Sequence, residues 1–264
     1  MIQPIADMSK AFDLTGKNVL VTGGNRGLGQ GCAMAMAQCG ANVAIVCRDQ
    51  PTAEATVERL RQYGGKYAWF RCDISNLQDV RRAVAEVYRV FGRIDVLVNN
   101  AGVSCLTDLL DMDEELSDWY HVVNTDLNGT VHMTYEVGKR MRDAGKGGSI
   151  INVTSMSGQI VNKAQHMSPY NTSKAAVNHF TRCMAVELGK YNIRVNAIAP
   201  GYTNSELSHF IPKDAYADII DQMPLRRFGE PIEIGAAAVY LASPAAGQIT
   251  GHIHLVDGGY TLAM

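Results

Sequence analysis

The 264-residue sequence lacks the features that mark membrane proteins and nucleic-acid-binding proteins. It has no run of about 18 apolar residues, the length that a membrane-spanning helix needs. It has no block of about five basic residues, and its net charge of −2 offers no positive field to a nucleic acid or an anionic membrane. Residues 1–13 contain acids but no apolar run, which argues against a secretory signal. We therefore expect a cytoplasmic protein whose partner is a small molecule, with no nucleic acid or membrane bound.

The sequence is also poor in metal ligands. Its six cysteines form no C-x-x-C pair, and most lie in apolar segments, as buried free thiols of a reducing compartment do. Of the seven histidines, His252 and His254 alternate along a predicted strand and share a face, but two ligands do not make a zinc site. We expect neither a metal site nor a disulfide.

What the sequence does contain is a regular alternation of strand and helix patterns. Seven short runs are predicted as strands, and they are continuously apolar, as strands buried on both faces are. These runs are 18–22, 42–47, 67–72, 94–98, 149–154, 194–199 and 252–256. The pattern predicts a single α/β domain over residues 1–264, with a Rossmann-type, doubly wound, seven-stranded parallel sheet and helices on both faces.

Helical patterns fill most of the intervening segments. They cover residues 28–38, 52–62, 77–91, 116–144, 168–188, 205–222 and 231–241. Two zones are irregular, at 103–116 and 201–230. The second is long enough to be a functional substrate lid, since plain connections in compact domains are usually much shorter.

A glycine-rich turn joins the first predicted strand to the first helix. Residues 22–29 read Thr-Gly-Gly-Asn-Arg-Gly-Leu-Gly, a T-G-x-x-x-G-x-G spacing that differs from G-x-G-x-x-G. Glycines let backbone N–H groups approach a pyrophosphate, and the helix N-terminus adds a positive dipole end. The expected cofactor contacts of this turn are Gly23, Asn25, Arg26, Gly27, Leu28 and Gly29.

Tyr170 and Lys174 are the main candidates for chemistry. Four residues apart on a predicted helix, they share a face, so the ammonium can stand beside the phenol. A nearby cation favours phenolate and lowers a tyrosine pKa from about 10 toward the working pH. Such a phenol can exchange a proton with an alcohol or a carbonyl.

Further motifs occur along the chain: Asp73, the Asn-Asn-Ala-Gly run at 99–102, Ser155, Pro200 with Gly201, and the Asp-Gly-Gly run at 257–259. Taken in order with residues 22–29 and with Tyr170 and Lys174, these motifs resemble the short-chain dehydrogenase/reductase family over nearly the whole chain. The resemblance implies that Tyr170 is general acid in reduction and general base in oxidation. It implies that Lys174 lowers the pKa of Tyr170 and binds the nicotinamide ribose, and that Ser155 binds the substrate oxygen. Ser157 is the alternative to Ser155 for this hydrogen bond to the substrate oxygen, because it is closer to Tyr170 in sequence.

The same resemblance implies the remaining cofactor contacts. Asp73 would contact the adenine edge, Asn99 and Gly102 would lie along the cofactor, and Thr203 or Ser205 would touch the carboxamide or the phosphates. Ile74, Asn100, Ala101, Pro200, Gly201, Tyr170 and Lys174 complete the expected set.

The end of the second strand bears on the choice between NADP(H) and NAD(H). An NAD site wants a carboxylate there for the ribose 2′-hydroxyl, and Cys47 takes that place. Arg48 follows, and Arg26 lies in the glycine turn, so two guanidiniums could converge on a 2′-phosphate. Asp49 is the counterargument, because it could turn inward. We predict NADP, with NAD as the alternative.

One position departs from the family pattern. Many relatives have V-N-L-x-G where this chain has Thr-Asp-Leu-Asn-Gly at 125–129, so Asp126 replaces an asparagine that helps hold a proton-relaying water. A carboxylate can hold a water, but it cannot donate a hydrogen bond unless protonated, and near Lys174 it would raise the lysine pKa. Asp126 is therefore a candidate for the catalytic group, with a purely structural role as the alternative.

Two segments carry a more specific resemblance: residues 155–162, followed by Gln165 and by Tyr170 with Asn171, and the Thr-Asp-Leu-Asn-Gly run at 125–129. Together they resemble the ketose and polyol branch of the family, which includes mannitol 2-dehydrogenase, sorbose reductase and L-xylulose reductase. A polyhydroxylated substrate needs several polar partners. The candidates are Ser155, Ser157, Gln159, Asn162 and Tyr170. Loop side chains also commonly face solvent, which is the alternative.

Two other functions remain open, and the family resemblance implies an assembly. A 3-oxoacyl carrier protein reductase would need a basic docking surface, for which Lys139, Arg140, Arg142 and Lys146 are candidates. A non-catalytic cofactor-binding protein is supported only by Asp126. The family usually forms homotetramers through its two long helices, here near 116–144 and 168–188. The small and apolar residues at 175–177, with Cys183 and Met184, fit such packing but equally fit burial against the sheet.

Overall fold

The computed structural model describes residues 7–161, 166–206, 208, 211 and 215–262. Its centre is a sheet of seven strands in the order β3-β2-β1-β4-β5-β6-β7, with every neighbouring pair parallel. The strands are β1 Asn18–Thr22, β2 Asn42–Cys47, β3 Tyr67–Arg71, β4 Val96–Asn99, β5 Gly148–Val153, β6 Ile193–Pro200 and β7 Ile253–Val256. The predicted seven-stranded parallel sheet is confirmed.

Helices cover both faces of this sheet, as the continuously apolar strands require. They are α1 Gly27–Gln38, α2 Gln50–Leu60, α3 Leu77–Phe91, α4 Ser117–Val123, α5 Gly129–Ala144, α6 Ser168–Gly189, α7 Ala215–Gln222 and α8 Pro231–Ala242. In β1, Val19 and Val21 pack with α1, α2 and α8, whereas Leu20 packs with α3, α5 and α6. Because successive strand side chains point to opposite faces, each apolar run fills two cores.

Two helices differ from their sequence predictions. The pattern at 116–144 forms α4 and α5 joined by one π-helical stretch, Asn124–Asn128, in which Thr125 and Asp126 are buried. The pattern that begins at Ser205 becomes a described helix only at Ala215. Ser205 instead accepts a hydrogen bond from the N–H of Ser208 in a short turn, at 3.0 Å. Apolar spacing cannot distinguish these local changes from a regular helix.

A crevice opens at the carboxyl ends of β1 and β4, where the strand order reverses direction, as expected for a doubly wound sheet. The Thr22 hydroxyl accepts hydrogen bonds from the N–H groups of Asn100 and Ala101, both at 2.9 Å. These bonds join the ends of the two strands and shape the crevice. Within the described ranges, no helix has the length and apolarity needed to cross a membrane, and no group of three potential metal ligands is present.

Candidate active site

A cavity of about 490 Å³ occupies this crevice. The walls include the glycine turn, the ends of β2 and β5, and the first turns of α6. Of the residues predicted to bind a cofactor, those on its walls are Gly23, Asn25, Arg26, Gly27, Leu28, Arg48, Asp73, Ile74, Asn100, Ala101, Gly102, Tyr170, Lys174 and Ser205. The structure therefore brings most of the predicted set to one site.

The glycine turn is too tight to hold side chains at two positions. Gly23 has a φ of +62°, which favours glycine, and a Cβ at Gly29 would lie only 2.2 Å from the Gly23 carbonyl oxygen. Among the described residues, no side chain caps the N-terminus of α1, where Arg26 is the N-cap. The first N–H groups of α1 thus remain available to an anion at the cavity wall.

Charged side chains line the cavity beside the ends of β2 and β3. Arg26 Nη1 lies 2.7 Å from Glu206 Oε2, and Arg48 Nη1 lies 3.9 Å from Asp73 Oδ2. Asp49 also lines the cavity, and its carboxylate accepts a hydrogen bond from the Thr52 hydroxyl. This end of the site therefore presents two guanidiniums and three carboxylates.

Cys47, which replaces the carboxylate of an NAD site, is held as a neutral thiol. Burial raises its pKa to about 11. Its sulfur lies 3.5 Å from the Asp49 carbonyl oxygen, as the donor of a weak hydrogen bond. This thiol offers no charge to a ribose.

Asn99 does not face the cavity, contrary to the expectation from the family resemblance. Its side chain is buried in the interior, where Nδ2 donates to Asn152 Oδ1 at 2.9 Å and to Thr134 Oγ1 at 3.0 Å. Asn100 lines the cavity instead, with its Nδ2 donating to the Thr22 carbonyl at 3.0 Å. Neighbouring residues at the end of a strand point in opposite directions, so only one of the two asparagines can reach the crevice.

A second cavity of about 100 Å³ adjoins the first. Both cavities share Leu28, Ser104, Thr154, Tyr170 and Ser205 on their walls. The smaller cavity is also lined by Leu106, Ser155, Met156, Ser157, Met167, Pro200, Gly201, Tyr202, Thr203, Ser208 and Ile211. Pro200, Gly201 and Thr203, predicted as cofactor contacts, thus lie on this smaller wall, and Tyr170 stands where the two cavities meet.

The predicted substrate residues are only partly assembled. Ser155 and Ser157 both line the smaller cavity, and Ser155 Oγ accepts a hydrogen bond from the Ser157 N–H at 3.1 Å. Both serines therefore remain candidates for the substrate oxygen. Gln159 is exposed and absent from the cavity wall, because it follows the short helical turn Met156–Gly158 and points outward. Asn162 lies outside the described residues.

Sequence reasoning missed several wall residues. Ser104 and Leu106 belong to the loop that follows β4, and Glu206 and Ser208 belong to the segment that follows β6. Their only signal was position, because residues just after the carboxyl ends of parallel strands must lie near the crevice. Loop side chains have no periodicity that would show which ones turn inward.

Tyr170, Lys174 and Asp126 form a connected group that extends from the meeting point of the two cavities to the buried side chain of Asp126. Lys174 Nζ lies 5.3 Å from the centroid of the Tyr170 ring and 3.1 Å from Asp126 Oδ2. Asp126 Oδ1 accepts a hydrogen bond from the Val103 N–H at 2.8 Å, and Lys174 also donates to the Val153 carbonyl at 3.3 Å. The lysine and aspartate side chains are 6% and 0% exposed, so this is a buried ion pair.

Burial and pairing shift both groups of this ion pair. Burial opposes the charged form of Lys174, but the adjacent Asp126 carboxylate and the Tyr170 phenol outweigh burial and raise the lysine pKa above its usual value. Burial raises the pKa of Asp126, and the Lys174 ammonium limits that rise. Lys174 is thereby held as an ammonium beside Tyr170.

The π-helical stretch positions Asp126 beneath the site. The widened turn leaves its carbonyl to a side-chain donor, and the Thr130 hydroxyl donates to that oxygen at 2.7 Å. Gly102 lies directly against the ion pair, since a Cβ there would be 2.9 Å from Asp126 Oδ2 and 3.2 Å from Lys174 Nζ. The ion pair and the cavity wall are therefore packed directly against each other.

The basic residues considered for a carrier protein lie away from this site. α5 begins beside the crevice at Gly129 and runs for 16 residues, about 24 Å, toward the amino end of β5, which begins at Gly148. Arg140 stacks on the Tyr88 ring at 4.7 Å, and Arg142 pairs with Asp143 at 2.7 Å. These contacts fit a solvated helix end.

The chain is similar to known oxidoreductases over almost its full length. A family described as enoyl-(acyl carrier protein) reductase matches residues 23–261. A sorbose reductase of Candida albicans is 40% identical over 252 residues, covering 95% of this chain and 89% of the relative. A probable NADP-dependent mannitol dehydrogenase of Yarrowia lipolytica is 36% identical over 262 residues, covering 97% and 93%.

Solved structures agree with these relatives. A short-chain type dehydrogenase/reductase from Mycobacterium marinum superposes with a TM-score of 0.92 at 38% identity, covering 97% of this chain and 99% of that one. With the glycine turn, the Tyr170–Lys174 pair and the parallel sheet described above, these matches show that the chain is an oxidoreductase and belongs to the short-chain dehydrogenase/reductase family.

Proposed function

We propose that this enzyme transfers a hydride between NADP(H) and a small polar carbonyl or secondary alcohol, most simply a ketose and its polyol. The observation that carries the proposal is the position of Tyr170, on the wall shared by the two cavities. A proton-transferring group must reach the substrate oxygen while the cofactor lies beside the substrate. The larger cavity suits the cofactor and the smaller one the substrate.

The larger cavity fits a dinucleotide by its own geometry. The uncapped start of α1 and the glycines at 23 and 29 leave room for a pyrophosphate. The guanidiniums of Arg26 and Arg48 line the cavity near the ends of β2 and β3, which we call the ribose end because a dinucleotide would place its ribose there. When bound, NADP(H) supplies or accepts the hydride. The names of the mannitol dehydrogenase and sorbose reductase relatives support both the NADP and the ketose–polyol assignments.

Each polar group of the site has a proposed role. Tyr170 gives a proton to the carbonyl oxygen in reduction and takes it back in oxidation. Lys174, fixed beside the phenol ring, places its positive charge next to Tyr170 and binds the nicotinamide ribose. Ser155 donates a hydrogen bond to the substrate oxygen, and Ser157 stabilises Ser155 through its N–H. Asp126 keeps Lys174 charged.

Several described residues of the segment 201–230 line the smaller cavity, and we propose that this segment is the substrate lid. Thr203, Ser205, Ser208 and Ile211 contribute to the wall of the smaller cavity. The lid is anchored by an aromatic cluster, in which Tyr202 stacks on Phe228 with ring centroids 5.5 Å apart. The hydroxyl groups on this wall can bind the hydroxyls of a sugar.

A substrate panel tests the function. NADPH oxidation would be followed with several ketoses, with a 3-oxoacyl thioester and without substrate. We expect turnover of at least one ketose. Turnover of the thioester alone would instead establish the carrier protein reductase, and no turnover with a broad carbonyl panel would favour the non-catalytic protein.

The cofactor preference has its own test. Arg48→Asp replaces a guanidinium at the ribose end with a carboxylate, so NADPH should bind about ten- to hundredfold more weakly, while NADH changes little. The measurement is a titration of each reduced cofactor by nicotinamide fluorescence. Arg61→Asp is the control, because Arg61 pairs with Glu58 at 2.8 Å away from the cavity. Equal losses for NADPH and NADH would refute the NADP assignment.

We also propose that the enzyme is a homotetramer assembled through α5 and α6. Tyr135 on α5 and Val186 on α6 are 53% and 83% exposed, although Val177 and Ala185 of α6 are buried. A second copy would cover such apolar side chains. Light scattering coupled to size exclusion should give four times the 28.7 kDa chain mass. A mass of one chain at micromolar concentration would exclude the assembly.

The cysteines bear on the compartment. All six lie in the described part of the chain and are free thiols, and burial raises the pKa of Cys32 and of Cys72 to about 12. Free buried thiols are typical of a reducing compartment. We propose a cytoplasmic location.

A further inference from the structure

The ion pair between Arg26 and Glu206 joins two separate walls of the larger cavity. Arg26 is the N-cap of α1 in the glycine turn, and Glu206 lies in the segment that follows β6. Their side chains meet at 2.7 Å, and both line the cavity while remaining 65% and 55% exposed. Glu206 therefore occupies the guanidinium that the proposed cofactor site would offer to a phosphate.

The other carboxylates of this end are held in different ways. Asp49 accepts a hydrogen bond from the Thr52 hydroxyl, and Asp73 accepts from the Ser75 N–H at 3.0 Å and the Ser75 hydroxyl at 2.7 Å. Each is fixed by a neighbour in its own turn. Asp73 also lies 3.9 Å from the cavity arginine Arg48, but the Ser75 hydroxyl holds it in place, whereas the described partner of Glu206 is the cavity arginine Arg26.

We propose that Glu206 is a specificity-determining residue that limits the preference for NADP(H) over NAD(H) by competing with the 2′-phosphate for Arg26. This inference rests on the proposed function. A phosphate monoester carries a charge of about −1.5 to −2 near pH 7, so it must displace the Glu206 carboxylate or share the guanidinium with it. A ribose 2′-hydroxyl is neutral and meets neither repulsion nor competition. Glu206 therefore weakens NADP(H) binding and leaves NAD(H) binding almost unchanged.

The test is Glu206→Gln, which keeps the shape of the side chain and removes its charge. NADPH should bind about three- to tenfold more tightly, as expected when one partly screened negative charge is removed near an exposed phosphate. NADH affinity should change less than about twofold, and the NADPH gain should shrink between low salt and about 0.5 M salt. The readout is fluorescence titration of the wild-type and variant proteins with NADPH and with NADH.

Two further variants separate competition from other effects. Glu58→Gln removes a surface carboxylate that pairs with Arg61, so it should leave both affinities unchanged. In an Arg26→Ala background, Glu206→Gln should lose most of its effect, because the contested guanidinium is gone.

Weaker NADPH binding by Glu206→Gln, or equal changes for both cofactors, would overturn the proposal and show that Glu206 only positions Arg26. Tighter binding of NADH than NADPH by the wild type would refute the NADP assignment alone, since the effect of Glu206 is read from the change in NADPH affinity.

Discussion

Tyr170→Phe is expected to lower kcat/KM for the ketose by about 10²- to 10⁴-fold, the range that a positioned proton-transferring group contributes. The change keeps the aromatic ring, whose centroid lies 5.3 Å from Lys174 Nζ, and removes only the hydroxyl of a residue that lines both cavities. The fold and NADPH binding should therefore survive. Steady-state kinetics measure the loss, while thermal unfolding and NADPH fluorescence titration verify the fold and the cofactor site.

A matched control uses the same substitution away from the cavities. Tyr63 follows α2, and its hydroxyl accepts a surface hydrogen bond from Gln38 Nε2 at 3.1 Å. Tyr63→Phe should change kcat/KM by less than about twofold, as surface substitutions usually do. If Tyr170→Phe retained more than about a tenth of wild-type activity, another group would have to supply the proton, and the proposed mechanism would fail.

The features that sequence predicted well are those that repeat. The strands were readable because a parallel sheet buried on both faces needs continuous apolar runs, as Val19, Leu20 and Val21 illustrate by filling two opposite cores. The Tyr170–Lys174 contact was readable because helical periodicity places residues four apart on one face. In both cases a regular backbone converts spacing directly into position.

The features that sequence missed depend on single local geometries. One residue of register at the end of β4 decides whether Asn99 or Asn100 reaches the crevice. The π-helical stretch at 124–128 and the turn at Ser205 interrupt patterns that otherwise look helical. Glu206 approaches Arg26 across a distance of 180 residues in sequence, which no periodicity records.

Asp126 departs from the family pattern, and removing its carboxylate should lower both stability and activity strongly. Asp126→Ala leaves the buried Lys174 ammonium without its carboxylate, and breaking a buried ion pair in this way typically costs about 3–5 kcal/mol. The lysine can reduce that cost only by losing its proton, which removes the charge beside Tyr170. We therefore expect a large fall in the free energy of unfolding, measured by urea denaturation, together with a large fall in kcat.

Asp126→Asn should have a smaller and different effect. The carboxylate gives one oxygen to the Val103 N–H and the other to Lys174, whereas an amide has only one oxygen for these two donors. The free energy of unfolding should fall by about 1–3 kcal/mol, and activity should persist. Asp143→Asn is the control, because this exposed carboxylate pairs with Arg142 beyond the crevice.

The pH dependence of Asp126→Asn distinguishes an electrostatic role from a structural one. In the wild type, the carboxylate raises the pKa of Lys174, so the ammonium persists to higher pH than burial alone would allow. Without the carboxylate, burial lowers the pKa of Lys174, so the ammonium is lost at lower pH. The alkaline fall in kcat/KM should therefore move to lower pH in Asp126→Asn but not in Asp143→Asn. A profile that coincides with that of the wild type would mean that Asp126 only supports the fold, because a carboxylate that sets the charge of Lys174 cannot be replaced by a neutral amide without moving that limb.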